Sequence, residues 1–401
     1  MSLDFIQKLV KPADTKIVLL VMDGLGGLSV EPGGLTELEA AQTPNLDQLA
    51  KDSICGLQQP VAPGVTPGSG PAHLALFGYD PITYQVGRGV LSALGIDFDL
   101  TDQDVAARGN FCTIDEEGRV TDRRAGRIST EKSKELCKLL QQVELPGVQL
   151  FIEPEKDYRF VLVLRGEGLS GDITDSDPQE TNQSPLQPKA LSVEAEKTAW
   201  LVNEFLTRTY EILQDHHPAN MVLLRGFAQR PHWPTVSDVF GFKAAAIAAY
   251  PMYRGIAKLV GMEVLDVKDD VEKEFERLEE VWQRYDFFYL HVKRIDSAGE
   301  DGDFERKVNL IETVDAQIPR LIKLNPDVVI VTGDHSTPSR LRYHGWHPVP
   351  VLLWSKYCRA DRVDQFGERA CMAGGLGPNL PGVNLMPLAL ANALRLEKFR
   401  A

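Results

Sequence analysis

Four short, continuous apolar runs constrain this chain most, because each lies between helical segments and borders a polar loop. They are KIVLLVM (16–22), FFYLHV (287–292), DVVIVTG (327–333) and VPVLLWS (349–355). Strands buried on both faces of a parallel sheet have this composition, since helices cover both sides. The alternation of such runs with amphipathic helices predicts an α/β fold with a doubly wound, mostly parallel sheet.

The sequence changes in character between residues 86 and 221. This stretch has Gly-rich turns, a polar hairpin candidate (NFCTIDEEGRVTDRR), two strand-like runs (VQLFI and YRFVLVLRG) and a Pro/Asp/Gln-rich loop at 171–189, and helical spacing then covers 192–213. We expect residues 1–85 and 222–401 to form one discontinuous core domain. A smaller α+β domain, 86–221, would be inserted into it.

Charge and composition exclude several classes of protein. Forty-three basic against 57 acidic residues leave a net charge of −14, which would repel a nucleic acid. No apolar run approaches the roughly 18 residues of a membrane span, and the first residues lack the apolar core of a signal peptide, so we expect a cytoplasmic protein. The five scattered cysteines favour a reducing compartment, where each would be a small buried side chain.

Acids and histidines cluster where the apolar runs meet loops, which is where open α/β sheets carry their reactive groups. Asp23 follows the first run, Asp296 the second, and Asp334 with His335 the third, while His344 and His347 precede the fourth. One acid in such a place is often a helix cap or a solvated group. The whole set suits Mn²⁺, Zn²⁺, Fe or Co rather than Ca²⁺, and it is large enough for two metal positions.

Ser69 is the candidate nucleophile. It lies between two glycines in the loop TPGSGPAH, at the start of a predicted helix, where backbone N–H groups can approach a phosphate. The alternative is an ordinary helix cap before Pro71. A coordinated metal would lower the pKa of the hydroxyl and activate it, and we expect the side chain to be exposed in the loop.

Other nucleotide and metal motifs are absent from the sequence. The segment GLGGLS after the first run has Ser29 where a dinucleotide fingerprint needs its last glycine, and no G-x-x-x-x-G-K-[ST] occurs. The run EDGD (300–303) lacks the alternate carboxylates of a calcium-binding loop. A nucleotide-binding or EF-hand function is therefore not supported.

Eight ordered motifs resemble one family. They are MDGLGG, TPNLDQLA, TPGSGPAHLALFGYDP, NFCTIDEEGRVTDRRAGRI, LLRGFAQRP, KRIDSAGEDGDFERKV, VTGDHSTP and HGWHPVPVLLW. Together they resemble the archaeal-type branch of cofactor-independent phosphoglycerate mutase, a member of the alkaline phosphatase superfamily, from about residue 16 to the C-terminus. The resemblance implies an alkaline-phosphatase-like core with an inserted domain, two metal ions and a phosphoserine intermediate.

By this resemblance, Asp23, Ser69, Asp334 and His335 would bind one metal, and Asp296, residue 300 and His344 the other. The family pattern has histidine four residues after the Asp296 position, whereas this chain has Glu300. A carboxylate oxygen there would favour Mn²⁺ or Mg²⁺, although Glu300 could instead point to solvent. His347 departs from the pattern too, and we expect it to lie outside the ligand set.

Arginines must supply positive charge for a phosphorylated substrate. The candidates are Arg124 and Arg127 in the turn RRAGRI, together with Arg225, Arg230 and Arg254. A guanidinium group fits phosphate or carboxylate with two parallel hydrogen bonds. Any one of these arginines could instead lie on a solvated face, but RRAGRI is shared with the family.

The resemblance predicts a phosphoglycerate mutase that interconverts 3-phosphoglycerate and 2-phosphoglycerate through a phosphoserine. Its cofactors would be two divalent metal ions, with Mn²⁺ first and Mg²⁺, Co²⁺ or Zn²⁺ as alternatives. Its partner would be the small-molecule substrate, without nucleic acid or membrane, and the sequence does not define an oligomeric state. Two alternatives remain: a phosphohydrolase or phosphonate-processing enzyme on the same core, and a metal-binding protein whose catalysis Glu300 has impaired.

Overall fold

A computed structural model describes residues 2–400 of the chain. The strands, in chain order, are β1 Ile17–Met22, β2 Ile54–Gln59, β3 Asp104–Ile114, β4 Val120–Asp122, β5 Gln149–Pro154, β6 Arg159–Arg165, β7 Met221–Ala228, β8 Ala244–Ile247, β9 Glu263–Leu265, β10 Phe287–Val292, β11 Val328–Thr332, β12 Val349–Ser355 and β13 Gly377–Pro381.

Fifteen α-helices lie in the same described residues. They are α1 Leu3–Gln7, α2 Glu37–Ala40, α3 Pro44–Lys51, α4 Ser69–Leu76, α5 Arg88–Gly95, α6 Thr130–Leu140, α7 Glu196–Leu213, α8 Val236–Phe240, α9 Pro251–Leu259, α10 Val271–Val281, α11 Arg294–Asp301, α12 Phe304–Asp315, α13 Ile318–Lys323, α14 Glu368–Cys371 and α15 Leu385–Asn392.

The chain divides into two compact units. One comprises the residues up to Gln85 together with those from Trp233 onward, and the other is Val86–His232. The first unit contains an eight-stranded sheet in the order β13-β2-β12-β11-β1-β10-β8-β9. Only β12 runs antiparallel to its neighbours in that sheet. The prediction of a mostly parallel α/β sheet is confirmed.

Strand direction brings several loops to one edge of this sheet. The central strand β1 is buried along its whole length and runs parallel to β10 and β11, so that Val21 lies opposite His291 and Thr332. Strand β12 is antiparallel to β11 and β2, so it begins at the edge where the others end. The loops after β1, β2, β10 and β11 and the loop before β12 therefore share this edge.

Helices cover the sheet through apolar faces. Buried side chains of α10 (Phe275 and Leu278) and α12 (Ile311 and Val314) belong to the same core as Leu20 of β1. Their spacing of three residues within each helix is the spacing of an amphipathic helix, and burial of such faces is the main stabilising contribution of the core. This core holds β1, β10 and β11 in place beneath the shared edge.

The second unit is an antiparallel α+β structure with its own core. Strands β4-β3-β6-β5 lie side by side, and β7 pairs with β3. The hairpin predicted at NFCTIDEEGRVTDRR is the β3–β4 pair. The apolar cluster of this unit includes Phe111, Phe160, Leu162, Phe205 and Val222.

The observed boundary differs from the expected one. We placed residues from 222 onward in the core domain, but β7 hydrogen-bonds to β3, with Asn110 opposite Leu223, and the second unit extends to His232. Residues 221–226, MVLLRG, have the composition of a buried strand, and such a strand would suit the sheet of either unit. Pairing partners, which the sequence pattern does not define, decide the assignment.

Smaller differences from expectation have local causes. The sequence around 304–323 has the spacing of one amphipathic helix, but it forms two, α12 and α13, because Pro319 lies in the first turn of α13. Four cysteines are buried as expected, but Cys358 is partly exposed, and all five are free. None of the helices formed by residues 2–400 combines the length and the apolarity needed to cross a bilayer.

Candidate active site

Two groups of acids and histidines lie at the shared edge of the large sheet. The first consists of Asp23, Asp334 and His335, and the second of Asp296, His335 and His344. Within each group, one potential ligand atom from every residue lies within 4.8 Å of the others. His335 belongs to both, so the two groups are adjacent.

The first group is fully buried. His335 Nε2 lies 3.1 Å from Asp334 Oδ2 and 3.5 Å from Asp23 Oδ1. Among the described residues, neither Asp23 Oδ1 nor Asp334 Oδ2 has a hydrogen-bond partner. Buried carboxylate oxygens are normally paired, so these two are available to a ligand that is not a protein donor.

Thr337 defines the tautomer of His335. Its hydroxyl lies 2.6 Å from Asp296 Oδ1 and 3.0 Å from His335 Nδ1. The ionised Asp296 can only accept, so the single hydroxyl proton of Thr337 is donated to it, and His335 Nδ1 must carry a proton and donate to Thr337. The Nε2 atom of neutral His335 therefore presents a lone pair to the first group.

The same reasoning applies to His344 in the second group. His344 Nδ1 lies 2.9 Å from the carbonyl oxygen of Pro67, which can only accept, so Nδ1 carries the proton. Its Nε2 lies 3.8 Å from Asp296 Oδ1, and its ring stacks on His335 with centroids 3.6 Å apart. Both histidines direct unprotonated nitrogens toward carboxylates. His347 belongs to neither group.

Ser69 lies beside the shared histidine. It is the first residue of α4, whose N-cap is Gly68, and its Oγ is 3.2 Å from His335 Nε2. Because that nitrogen is unprotonated, the Ser69 hydroxyl donates the hydrogen bond. The expectation of an exposed side chain is wrong: Ser69 is 7 % exposed, since the loop 60–68 returns it to the sheet edge. The N-cap alternative is also wrong.

Electrostatics separate the three acids. Burial alone would raise the pKa of Asp23 and Asp296, but nearby Lys293 outweighs it, helped by histidines, and holds both pKa values below the usual range. Burial, reinforced by the negative charges of Asp23 and Asp296, raises the pKa of Asp334 well above its usual value. Burial also lowers the pKa of His335 to about 3, which keeps its ring neutral.

Several residues of this site were missed by the sequence interpretation. His291 Nε2 donates to the ionised Asp23 Oδ2 at 2.9 Å, and Lys293 Nζ contacts both Asp23, at 3.5 Å, and Asp296. His73 Nδ1 donates to the Ser69 carbonyl oxygen at 2.8 Å. The available signals were a histidine inside the apolar run FFYLHV, a lysine one residue beyond it, and a histidine one helical turn after Ser69.

Glu300 lies outside both groups. It is exposed and follows Asp296 by one turn of α11, so the two side chains are on the same face of the helix. Local desolvation and the negative charge of Asp296 raise the pKa of its carboxyl group, against the opposing charge of Lys293. Among the described residues, the group around Asp296 and His344 includes His335 and not Glu300.

Of the predicted arginines, four belong to the second unit. Arg225 Nη1 lies 3.9 Å from Asp177 Oδ2, and Arg123 binds the same carboxylate with two hydrogen bonds of 3.1 and 2.6 Å. Burial, followed by the positive charges of Arg88, Arg108 and Arg123, lowers the pKa of Arg225 to about 9. Arg225 therefore lies among several other arginines, and it shares Asp177 with Arg123.

The remaining arginines have different surroundings. Arg124 and Arg127 are exposed on the turn between β4 and α6, and Arg230 is half-buried after β7. Arg254, in the first unit, lies on α9 and pairs with Asp266 at 3.0 Å. Arg225 is thus the predicted arginine that the structure places in a cluster of positive charge.

The two groups fit divalent metal ions chemically. The first combines carboxylate oxygens of Asp23 and Asp334 with the Nε2 lone pair of His335, and the second combines the carboxylate of Asp296 with the Nε2 lone pair of His344. Mn²⁺, Co²⁺ and Zn²⁺ accept such oxygen and nitrogen donors. Without a cation, the unpartnered oxygens of Asp23 and Asp334 would remain buried beside the lone pair of His335, which is unfavourable. The chain therefore carries two clusters suited to metal ions.

Comparisons of sequence place the chain among known proteins. A family model described as 2,3-bisphosphoglycerate-independent phosphoglycerate mutase matches residues 50–220. A probable enzyme of that name from Thermus thermophilus is 51 % identical over 401 residues, covering 99 % of this chain and 98 % of its own. Another from Aquifex aeolicus is 50 % identical, and the alignment covers 100 % of this chain and 100 % of that relative.

Solved structures agree with these relatives. The PH0037 protein from Pyrococcus horikoshii is 31 % identical, with a TM-score of 0.84 over 96 % of this chain and 99 % of its own. The cofactor-independent phosphoglycerate mutase from Thermoplasma acidophilum is 28 % identical, with a TM-score of 0.67 over 94 % of this chain and 100 % of its own. The similarity extends over both units.

Proposed function

The chain belongs to the 2,3-bisphosphoglycerate-independent phosphoglycerate mutase family, and we propose that it works through a covalent phosphoserine at Ser69. Its activity is the interconversion of 3-phosphoglycerate and 2-phosphoglycerate, an isomerisation, and its substrate is a small phosphorylated acid. Membership over the full length favours this activity over the phosphohydrolase and the catalytically impaired protein that the sequence left open.

One observation carries the proposed chemistry. Ser69 Oγ lies 3.2 Å from Nε2 of His335, the residue that the two ligand groups share. A hydroxyl at that place is adjacent to both groups at once, as an attacking oxygen in a phosphoryl transfer requires. The first turn of α4 begins at Ser69, so its positive dipole end favours the negative charge of a bound phosphate.

We propose two divalent metal ions, with Mn²⁺ first and Mg²⁺, Co²⁺ or Zn²⁺ as alternatives. Asp23, Ser69, Asp334 and His335 would hold one, and Asp296, Glu300 and His344 the other. When bound, such ions lower the pKa of a serine hydroxyl and neutralise charge on the transferring phosphoryl group. The donor chemistry of the two groups supports this assignment.

The chain's own residues would act in two displacements. Ser69 Oγ attacks phosphorus, and the bond between phosphorus and the 3-oxygen of the glycerate breaks. That oxygen takes up the proton that Ser69 gives up. After the glycerate reorients, its 2-hydroxyl oxygen attacks the phosphoserine, and a proton returns to Ser69 Oγ as the serine ester breaks. Thr337 and His291 hold His335 and Asp23 in place throughout.

We assign binding of the glycerate to the arginines. Arg124, Arg127, Arg225, Arg230 and Arg254 supply guanidinium groups that suit a carboxylate or a phosphate. In this proposal, the unit 86–232 binds the substrate and the other unit carries out the chemistry. Exclusion of water would be essential, because water that attacked the phosphoserine would convert the mutase into a phosphatase. We further propose a cytoplasmic enzyme without nucleic-acid or membrane partners.

The decisive experiment replaces the nucleophile. Ser69→Ala should abolish mutase activity in a coupled assay with 3-phosphoglycerate, under Mn²⁺, Mg²⁺, Co²⁺ and Zn²⁺ in turn, because no oxygen remains to receive the phosphoryl group. The loss of one hydrogen bond should lower the free energy of unfolding by only about 1 kcal/mol. Mass spectrometry of the parent enzyme, quenched during turnover, should find phosphate on Ser69.

Ser53→Ala is the matched control. Ser53 is also a buried serine of the first unit, and it donates to the Leu49 carbonyl oxygen at 2.6 Å, at the opposite end of β2 from the site. Its loss should change stability to a similar extent and leave turnover intact. Full mutase activity in Ser69→Ala would refute the covalent mechanism.

A further inference from the structure

Helix α12 carries a lysine on its apolar face. The buried residues of α12 are Lys307, Val308, Ile311, Val314 and Asp315, which form one stripe along the helix. The side chain of Lys307 is 0 % exposed. A buried ammonium group is costly to desolvate, so a lysine in this position requires a specific set of partners.

Lys307 uses all three of its N–H donors on backbone carbonyls. Its Nζ lies 2.9 Å from the Gly24 oxygen, 3.0 Å from the Gly26 oxygen and 2.9 Å from the Thr337 oxygen. An ammonium group has three donors and no acceptor, so its hydrogen-bonding capacity is filled. None of these acceptors is a side chain, so the ammonium group binds loop backbone rather than the ligand atoms.

The three carbonyls belong to the two loops that carry the first metal group. Gly24 and Gly26 follow Asp23, and Thr337 follows His335 by two residues. The Thr337 amide donates to the same Gly24 and Gly26 oxygens, at 3.2 and 3.0 Å. Lys307 therefore lies where the two loops are already joined and adds a third connection, from α12.

These backbone positions are linked directly to the ligand carboxylates. The Gly24 amide donates to Asp334 Oδ1 at 3.1 Å, and the Thr337 hydroxyl donates to Asp296 Oδ1 at 2.6 Å. Gly24 has a φ of +66°, and a Cβ there would lie 2.7 Å from Thr337 Oγ1. The loops therefore pack without free space, and a shift of either backbone would move a carboxylate.

Glu37 provides the counter-charge and ties the same two loops further out. Its Oε1 lies 3.9 Å from Lys307 Nζ and accepts from the Ser339 amide and hydroxyl, each at 2.7 Å. Its Oε2 accepts from the Leu28 amide at 3.1 Å. The buried pair of Lys307 and Glu37 thus connects residues 24–28 with residues 337–339.

We propose that Lys307 is a positioning residue of the mutase: its ammonium group fixes the loops of Asp23 and of Asp334–His335 at the separation that metal binding requires. This inference rests on the proposed metal site. Lys307 contacts neither substrate nor ligand atoms, so it acts through Gly24, Gly26 and Thr337. Loss of partners that orient metal ligands typically reduces metal affinity or activity about 10- to 100-fold.

The test compares Lys307→Met with Arg395→Met. Methionine keeps most of the length of the lysine but donates no hydrogen bond. Arg395 is also a buried cation of the first unit, 2 % exposed, and it donates to the backbone oxygen and hydroxyl of Thr15, close to the C-terminus. Calorimetric titration with Mn²⁺ alone, kcat and KM for 3-phosphoglycerate, and Tm are measured for both variants and the parent.

Both variants should have a lower Tm, but only Lys307→Met should bind Mn²⁺ at least about 10-fold more weakly and lose a similar factor in kcat, with KM changed less. If Lys307→Met does not fold, Lys307→Arg and Glu37→Gln replace it, with the same expected direction. If Lys307→Met matched Arg395→Met in Mn²⁺ affinity and kcat, the inference about Lys307 would be overturned, while the proposed metal site would stand. A parent protein that binds no Mn²⁺ would overturn both the inference and the proposed metal site.

Discussion

At the scale of single residues, His335 explains why the two ligand groups are adjacent. Its Nε2 faces Asp23, Asp334 and the Ser69 hydroxyl, while Thr337 holds its Nδ1 proton and links it to Asp296. Such an arrangement requires a neutral ring, and burial lowers the pKa of His335 to about 3. The side chain therefore offers a neutral nitrogen ligand at neutral pH.

The candidate ligands were predictable because strand ends are visible in sequence. An acid after a buried apolar run lies at the carboxyl edge of a parallel sheet, so Asp23, Asp296 and Asp334 could be placed there from the sequence. His291 was not predicted, because a histidine within FFYLHV also fits a buried core position. Lys307 was not predicted either, because its partners are carbonyls of two loops that are distant in sequence.

Glu300 gives a prediction at this scale. Glu300→Ala should reduce Mn²⁺ affinity or turnover about 10- to 100-fold if its carboxylate joins the second group, and Glu300→His should shift the preferred metal from Mn²⁺ toward Zn²⁺ or Co²⁺, because a nitrogen donor replaces an oxygen. The measurement is kcat/KM for 3-phosphoglycerate under each metal. Asp301→Ala, which removes the neighbouring exposed carboxylate, is the control.

Unchanged metal preference and activity in both Glu300 variants would contradict this role. The second metal would then be held by Asp296, His344 and a further ligand other than Glu300. Glu300 would be a solvated residue at the C-terminal end of α11.

At the scale of elements, apolar runs predicted strands but not their partners. FFYLHV and VPVLLWS coincide with β10 and β12, whereas β7, most of which we expected in the core domain, pairs with β3 of the second unit. The helix expected over 192–213 agrees with α7 to within a few residues, whereas Pro319 divides residues 304–323 into α12 and α13. Pairing depends on contacts between segments that are distant in sequence, and local pattern does not encode these.

Helix α10 contains a buried acid that predicts a pH dependence of stability. Glu274 is 1 % exposed, and its Oε2 has no hydrogen-bond partner among residues 2–400. Burial, reinforced by Asp269, raises its pKa to about 9 from an ordinary value of 4.5, against the opposing charge of Arg294. The folded state therefore binds a proton that the unfolded state has lost between these two pH values.

The direction of the pH dependence follows from the difference between the folded and unfolded pKa values of Glu274. A raised folded-state pKa gives stability that is complete below the unfolded pKa and is lost as pH rises toward the folded value, by up to about 1.4 kcal/mol per pH unit. Glu274→Gln cannot ionise, so the free energy of unfolding of the parent should fall relative to that of the variant between pH 6 and pH 9. Urea denaturation of the parent and of Glu274→Gln at several pH values measures this difference in the free energy of unfolding.

Glu272→Gln, on the exposed face of the same helix, should parallel the parent at every pH. A constant difference in free energy of unfolding between the parent and Glu274→Gln across this range would show that Glu274 is not protonated in the folded state. The pH dependence would then have to come from other groups.

At the scale of the whole molecule, each of the two units has an apolar core of its own. One apolar cluster draws its buried residues from positions 18–57 and 245–371, and the other from positions 105–227. Every residue of the two ligand groups, with Ser69, belongs to the first unit, whereas most of the predicted substrate arginines belong to the second. In the proposed mechanism, the chemistry and the binding of the glycerate are thus assigned to different units.

This division predicts that residues 86–232 fold when they are expressed alone. The unit is continuous in sequence, its five strands pair with one another, and its core includes phenylalanines from β3, β6 and α7 that are fully buried within it. A segment of about 150 residues is long enough to bury the apolar surface that a stable domain requires. The isolated fragment should unfold cooperatively on heating, as followed by circular dichroism, and show dispersed amide resonances.

Phe160→Ala provides the internal check on that fragment. Phe160 is fully buried in contact with Phe111, so truncation should cost about 3–5 kcal/mol through the cavity it leaves. If the fragment has the native core, the substitution should lower the free energy of unfolding of the fragment and of the full chain by similar amounts. The Tm of the fragment should fall accordingly. A fragment that lacks a cooperative transition, or whose Tm does not respond to Phe160→Ala, would mean that the second unit needs the first in order to fold.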